Sequence, residues 1–156
     1  MGESIKTSIF RIGFNLFPAF RGTGGRVTYI SRDFMKIRLK LPLNWRTRNY
    51  VGTIFGGSLY GAVDPVYMFM LLKVLGNDYI VWDKAAKIQF KRPGKTTLFA
   101  TFILTKEEIQ FIREELVSKE KIDRVYYVDL VDKHGIVHAT AEKTLHIRRK
   151  NLPKKD

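Results

Sequence analysis

The 156 residues predict an α+β fold, with an antiparallel sheet of five or six strands wrapped around one long apolar helix. Three observations carry that prediction. Several segments alternate apolar and polar residues with a period of two, most clearly Met35, Ile37, Leu39 and Leu41 against Lys36, Arg38 and Lys40. A single stretch, Ile54 to Leu72, runs for 19 residues with Asp64 as its only charged member. Glycine and proline punctuate the chain between these segments. The length suits one domain over 1–156, and with 45% apolar and 13% aromatic residues the chain can build a core.

Along the chain, Ile9, Ile12, Leu16, Phe17 and Phe20 fall at helical spacing and predict an amphipathic helix over about 8–20, packed on the domain. A helix lying on a membrane is the alternative. Arg11 and Asn15 interrupt the segment, so it holds no clean signal-peptide core. Gly22, Gly24 and Gly25 end it, and strands are expected over 26–31 and 34–41, followed by a loop from Pro42 to Arg48.

The long apolar stretch predicts a central helix over about 56–75. Its length approaches a membrane span. However, Gly56, Gly57 and Gly61 crowd one end, and Asp64-Pro65 stands at the centre, where a charge costs roughly 2.5–3.5 kcal/mol on insertion. A helix apolar on all sides is equally at home in the middle of a domain, and the surrounding strand pattern favours that reading.

Strands are expected over 79–91, ended by Pro93-Gly94, and over 96–104. Thr105 and Glu108 form a capping-box pattern that opens a short helix over about 106–117, with Ile109, Ile112 and Leu116 on one face. Two last strands, 124–131 and 136–147, are joined by the turn Asp132-Lys-His-Gly135. A basic tail, 148–156, closes the chain. No internal repeat, low-complexity segment or linker interrupts it.

Composition bounds the function. With no cysteine, disulfides, zinc knuckles and cysteine nucleophiles are excluded, and a cytoplasmic location fits. A net charge of +13 points to a polyanionic partner: nucleic acid, an anionic membrane surface or a phosphate-rich small molecule.

The run Asn49-Tyr-Val-Gly52-Thr-Ile-Phe55-Gly56-Gly57, with Asp64 seven residues after Gly57, resembles the pattern of hotdog-fold acyl-CoA thioesterases. In those enzymes an Asn, a Gly, a Phe-Gly-Gly or His-Gly-Gly step and an acidic residue recur at this spacing. Ile88-Gln-Phe90-Lys-Arg-Pro93 looks like the strand end after the helix, and Asp132 to Gly135 with Ala139 and Thr144 looks like the closing hairpin. The added 106–117 helix and the Asp64-Pro65 step look closer to an uncharacterised branch of tetrameric acyl-CoA thioesterases. The resemblance therefore implies the hotdog fold, hydrolysis of an acyl-CoA thioester and a homo-oligomer, at least a dimer, because in these enzymes the site elements meet across a subunit interface. A non-catalytic hotdog module that binds acyl-CoA or another lipid-like ligand is the alternative.

The residues admit the same chemistry. Thioester hydrolysis needs a donor for the developing oxyanion, a group that activates water or attacks directly, and a slot for the acyl chain. Gly56 and Gly57 offer unblocked amides at a helix N-terminus, with Phe55 beside them. Asp64, the sole carboxylate in its apolar run, is expected to be desolvated and so a stronger base; the alternative is that it caps a helix starting at Pro65. Asn49 is placed to orient water or the carbonyl. The catalytic candidates are thus Asp64, Asn49 and Gly57.

Phe55 stands where many hotdog enzymes have His, and no histidine precedes residue 134, which argues against a dehydratase. His134, His138 and His146 are read as solvent-side or packing residues, and neither a metal nor a cofactor is implied. CoA carries phosphates that Arg46, Arg48, Lys91 and Arg92 suit, with Gly56 and Phe55 completing the substrate-binding candidates. Nucleic acid and a membrane are the disfavoured partners, the first because no recognition-module signature is present.

Overall fold

A computed structural model describes residues 2–150. In chain order the elements are α1 (Ile5–Leu16), α2 (Pro18–Gly22), β1 (Arg26–Ile30), β2 (Lys36–Leu41), α3 (Gly56–Val63), α4 (Val66–Leu75), β3 (Tyr79–Phe90), β4 (Leu98–Ile103), α5 (Lys106–Ser118), β5 (Lys121–Val131) and β6 (Val137–Arg149). The strands form one antiparallel sheet in the order β1-β2-β4-β5-β6-β3. This is not a plain meander, because β3 is carried past its chain neighbours to the far edge and pairs with β6.

Alternation makes the sheet two-faced. Ile37, Leu39, Leu41, Leu98, Ala100, Phe102, Ala139, Ala141, Leu145 and Ile147 are buried, as are Ala62, Val63, Val66, Met70 and Leu71 of the central helix. Each fully buried Val, Leu, Ile, Met or Phe side chain among these contributes about 1.5–3 kcal/mol. One helix, Gly56–Leu75, is long and apolar enough to cross a membrane by length and composition, and half of it is buried inside the domain. Asp64 and Pro65 keep helical backbone angles between α3 and α4. The chain therefore runs on as one rod, with the hydrogen-bond ladder broken where proline lacks an N–H.

The N-terminal segment departs from its expected form. It starts earlier, where Ser4 and Thr7 form a reciprocal capping box. It also breaks at Phe17, whose extended backbone (φ −60°, ψ 121°) is what a following proline imposes, and Pro18 then opens α2. The expected packing face is corrected too. Phe10 and Phe14 turn inward, edge-on to Phe34, Phe69 and Phe20, while Ile9, Ile12, Leu16 and Phe17 stay exposed and only Phe20 of the predicted stripe is buried.

At α5, Thr105 accepts the Glu108 amide at 3.1 Å, but the reciprocal half of the box is not made. Glu108 instead accepts Arg124 Nε and Nη2 at 2.8 and 2.7 Å and the Tyr126 hydroxyl at 2.7 Å, pinning the helix to β5. The β5–β6 hairpin closes on Gly135 at φ +80°, with the Gly135 amide donating to Asp132 O at 3.0 Å. Arg148 and Arg149 of the expected tail belong to β6, and Lys154 and Lys155 lie outside the described residues.

Candidate active site

The loop before α3 is held by its own backbone. Phe55 N–H donates to Thr47 O at 2.7 Å, and Phe55 O accepts Ser58 and Leu59 at 3.0 and 3.1 Å, so the helix opens at Gly56. The Gly56 and Gly57 amides fall in the first turn, where no helical carbonyl can accept them. The space their missing side chains leave is nevertheless filled from within the chain. A Cβ on Gly57 would lie 2.3 Å from the Phe55 ring, and one on Gly56 would lie 3.2 Å from Phe90. The rings of Phe55 and Phe90 thus occupy the side-chain direction of both glycines, although Phe55 itself is exposed.

Asn49 is spent locally. Its Oδ1 accepts the Val51 and Thr53 amides at 3.1 and 3.0 Å, and its Nδ2 donates to Thr53 Oγ1 at 2.9 Å. In a single chain these bonds brace its turn. It still lines a cavity of about 370 Å³ together with Gly56, Lys91, Arg92 and Phe90. The Lys91 and Arg92 amides both donate to His138 O, and the His138 ring bridges Pro93 O at 3.0 Å and Asp132 at 3.2 Å. His138 is thus the brace of this wall. His146 packs against Trp82 and contacts Asp123 at 2.7 Å.

Asp64 stands apart from that cavity, two turns into the helix that Gly56 opens. It does not cap α4, which has no side-chain cap. Its Oδ1 accepts the Tyr60 hydroxyl at 2.6 Å and also the ammonium of Lys143. Lys143 is fully buried on β6, donates to Tyr60 at 3.1 Å and pairs with Asp83 of β3 at 2.9 Å. The isolated, desolvated carboxylate that the sequence predicts is therefore an ion-paired one, with a side chain 40% exposed.

Burial works to lower the Lys143 ammonium, but hydrogen bonds to Asp64, Asp83 and Tyr60 outweigh it and leave it above its ordinary value. Burial also raises the Asp83 carboxyl, against the pull of Lys143, and it raises the Tyr60 hydroxyl, helped by the bond to Asp64. Asp64 opens onto an apolar groove of about 620 Å³ between the N-terminal helices and the central helix, walled by Phe10, Phe14, Phe20, Met68 and Phe69.

The predicted residues thus divide into two places. Asn49, Gly56, Lys91 and Arg92 share one cavity, and Asp64 lines another. Arg46 lines neither; it joins Arg21 and Arg26 around a third cavity, and Arg48 is exposed on the loop. Sequence reasoning missed Lys143, Tyr60 and Asp83. A signal for Lys143 was present, since it occupies the buried parity of β6 between Ala141 and Leu145. Among the described residues no group of three or more His, Asp or Glu is arranged to hold a metal ion.

The family described as a domain of unknown function, DUF4442, matches residues 6–147. No curated protein matches the chain. Solved structures resemble it over nearly its whole length. A Pseudomonas aeruginosa protein of unknown function described as a "probable thioesterase" (PA5026) is 20% identical, covers 96% of this chain and 99% of its own, and superposes with a TM-score of 0.81. A protein of unknown function from Chlorobaculum tepidum is 14% identical over 93% of this chain and 95% of its own, with a TM-score of 0.74. A thioesterase from Haemophilus influenzae (HI1161) is 12% identical over 98% and 97%, with a TM-score of 0.69. At these identities the likeness is one of fold: six antiparallel strands around a long central helix, the hotdog arrangement.

Proposed function

The chain belongs to the DUF4442 family, and on that footing we propose that it hydrolyses acyl-CoA thioesters to the free acid and CoA. The observation that carries the reading is the state of Asp64. One carboxylate oxygen is anchored by Tyr60 and Lys143, while no described residue donates to the other, on a side chain that lines the apolar groove. An anchored carboxylate with a free oxygen beside an acyl-sized slot is what a positioned general base requires. In the proposed step Oδ2 takes a proton from water as the water oxygen bonds to the thioester carbon. The tetrahedral oxyanion is met by helix N-terminal amides, the C–S bond then breaks, and the thiolate leaves and is protonated.

Asp64 lies seven residues beyond Gly57, about 10 Å along the helix axis. The two cannot touch one carbonyl within a single chain, which supports a site shared between copies: Asp64 from one, and the Gly57 amide and the Asn49, Lys91 and Arg92 cavity from the other. The long edge strand β3 supports the same reading. It runs for 12 residues with Lys84, Ala85, Ala86 and Lys87 exposed, a free edge for a partner copy in a dimer or tetramer.

The coverage of Gly56 and Gly57 by aromatic rings favours a second reading, a hotdog module that binds acyl-CoA without turning it over. Thiol release from acyl-CoAs of graded chain length separates the two. On the first reading, Asp64→Asn lowers turnover by about 10²–10⁴-fold with the fold intact. Equal thiol release by a well-folded Asp64→Asn protein removes Asp64 from the chemistry. Binding without thiol release in the wild type selects the second reading.

A further inference from the structure

Helix α1 is apolar on both sides. Phe10 and Phe14 fill the inside, while Ile5, Ile9, Ile12 and Leu16, with Phe17 after them, form an outward stripe whose members are 52–85% exposed. Large apolar stripes left in water mark interaction surfaces. Leu16 connects this stripe to a second feature, a cavity of about 310 Å³ lined by Arg21, Arg26 and Arg46 together with Asn15 and Asn44.

Among the described residues no carboxylate pairs with any of these three guanidinium groups. Arg46 only overlies the exposed ring of Trp45, 5.8 Å away. The segment's own charge agrees: from Ser4 to Arg32 there is no Asp or Glu, against five Lys and Arg.

We propose that the outer face of α1 and the adjoining arginine cavity form a docking surface for a bilayer rich in anionic lipid. The stripe enters the headgroup–acyl boundary, to a depth of about 5–10 Å for interfacial helices, and Arg21, Arg26 and Arg46 take the lipid phosphates at its margin. A second copy is the weaker occupant, because a two-fold contact through this face brings the same unpaired arginines together. The sequence left a helix lying on a membrane as the alternative to one packed through its isoleucine stripe, and the fold turns that stripe outward. The inference stands independently of hydrolysis.

The experiment is co-sedimentation of the full chain with vesicles of phosphatidylcholine alone, or with one third phosphatidylglycerol. The wild type is expected to partition onto the anionic vesicles and to be released by salt. The double variant Ile5→Ser, Ile12→Ser changes two side chains that are 85% and 52% exposed and lie outside the Asp64 groove, and it should abolish binding while leaving thermal unfolding unchanged. The triple variant Arg21→Gln, Arg26→Gln, Arg46→Gln should weaken binding about a hundredfold, at roughly fivefold per cation. The proposal is overturned if the wild type ignores anionic vesicles at low salt, or if neither variant changes binding. It is also overturned if the isoleucine variant alters the oligomeric mass in light scattering while vesicle binding is absent, which would make the stripe a contact between copies.

Discussion

Replacing Lys143 with Met keeps most of the side chain's length and volume and removes the ammonium that Asp64 and Asp83 share. Lys143 is fully buried, and its partners come from the α3–α4 junction and from β3, so this one cation ties the central helix to the sheet edge. Removing one partner of a buried ion pair costs about 3–5 kcal/mol. The Asp64 side chain is 40% exposed and the Asp83 side chain 24%, so both regain some hydration and the lower end, about 3 kcal/mol, applies. For a chain of this size that corresponds to a fall in Tm of about 6–12 °C.

The cost also depends on pH. Burial raises the folded Asp83 carboxyl above its ordinary value, so the folded state holds that proton more tightly than the unfolded one. The associated stability is present below the ordinary carboxylate value and is lost as pH rises through the folded value. Without the opposing ammonium this loss grows. The gap between wild type and Lys143→Met should therefore be widest near neutrality and should close as the carboxyl is protonated. Thermal unfolding by circular dichroism at about pH 7 and about pH 4 measures both effects. A gap under about 1 kcal/mol, or one that does not change with pH, would show that the buried cation does not hold this site together.

Three other outcomes follow from the structure. Gly24 has φ +84° and a Cβ there would meet the Thr47 methyl at 2.2 Å, with Thr47 fully buried, so Gly24→Ala should cost more than about 2 kcal/mol and lower Tm measurably. Burial pushes the Glu108 carboxyl up, but Arg124 and Tyr126 outweigh it and hold it below its ordinary value; its contribution is present above that value and lost as pH falls through the folded one. Glu108→Gln should therefore destabilise by about 1–2 kcal/mol at neutral pH and by almost nothing in acid, read from denaturant midpoints. If Lys91 and Arg92 grip CoA phosphates, kcat/KM should favour CoA thioesters over N-acetylcysteamine thioesters by about ten- to a hundredfold, and salt should erode that preference.

Much of the fold was legible in the chain. The alternation over 35–41 and the turn at Asp132–Gly135 depend only on period and backbone geometry, and both reappear in the structure. Of the candidate site, Asp64 and the glycine step were visible as a carboxylate and two unblocked amides on one long helix. Their surroundings were not. The Lys143–Asp64 contact joins residues 79 apart, and only the buried parity of Lys143 on β6 hinted that it would need a partner.

By itself, the sequence determined which chain segments are extended or helical and which strand faces alternate, because these follow from local dihedral preferences and side-chain period. It left open which of two apolar stripes on α1 would turn inward, since Phe10 and Phe14 repeat at helical spacing just as Ile9, Ile12 and Leu16 do. The fold chose the phenylalanines because Phe34 and Phe69, from a turn and from α4, offer ring edges that they fit. It also left open the sheet order and the distance between Asn49 and Asp64. Tertiary structure alone decided these, because packing and charge pairing join groups whose separation along the chain bears no relation to their separation in space.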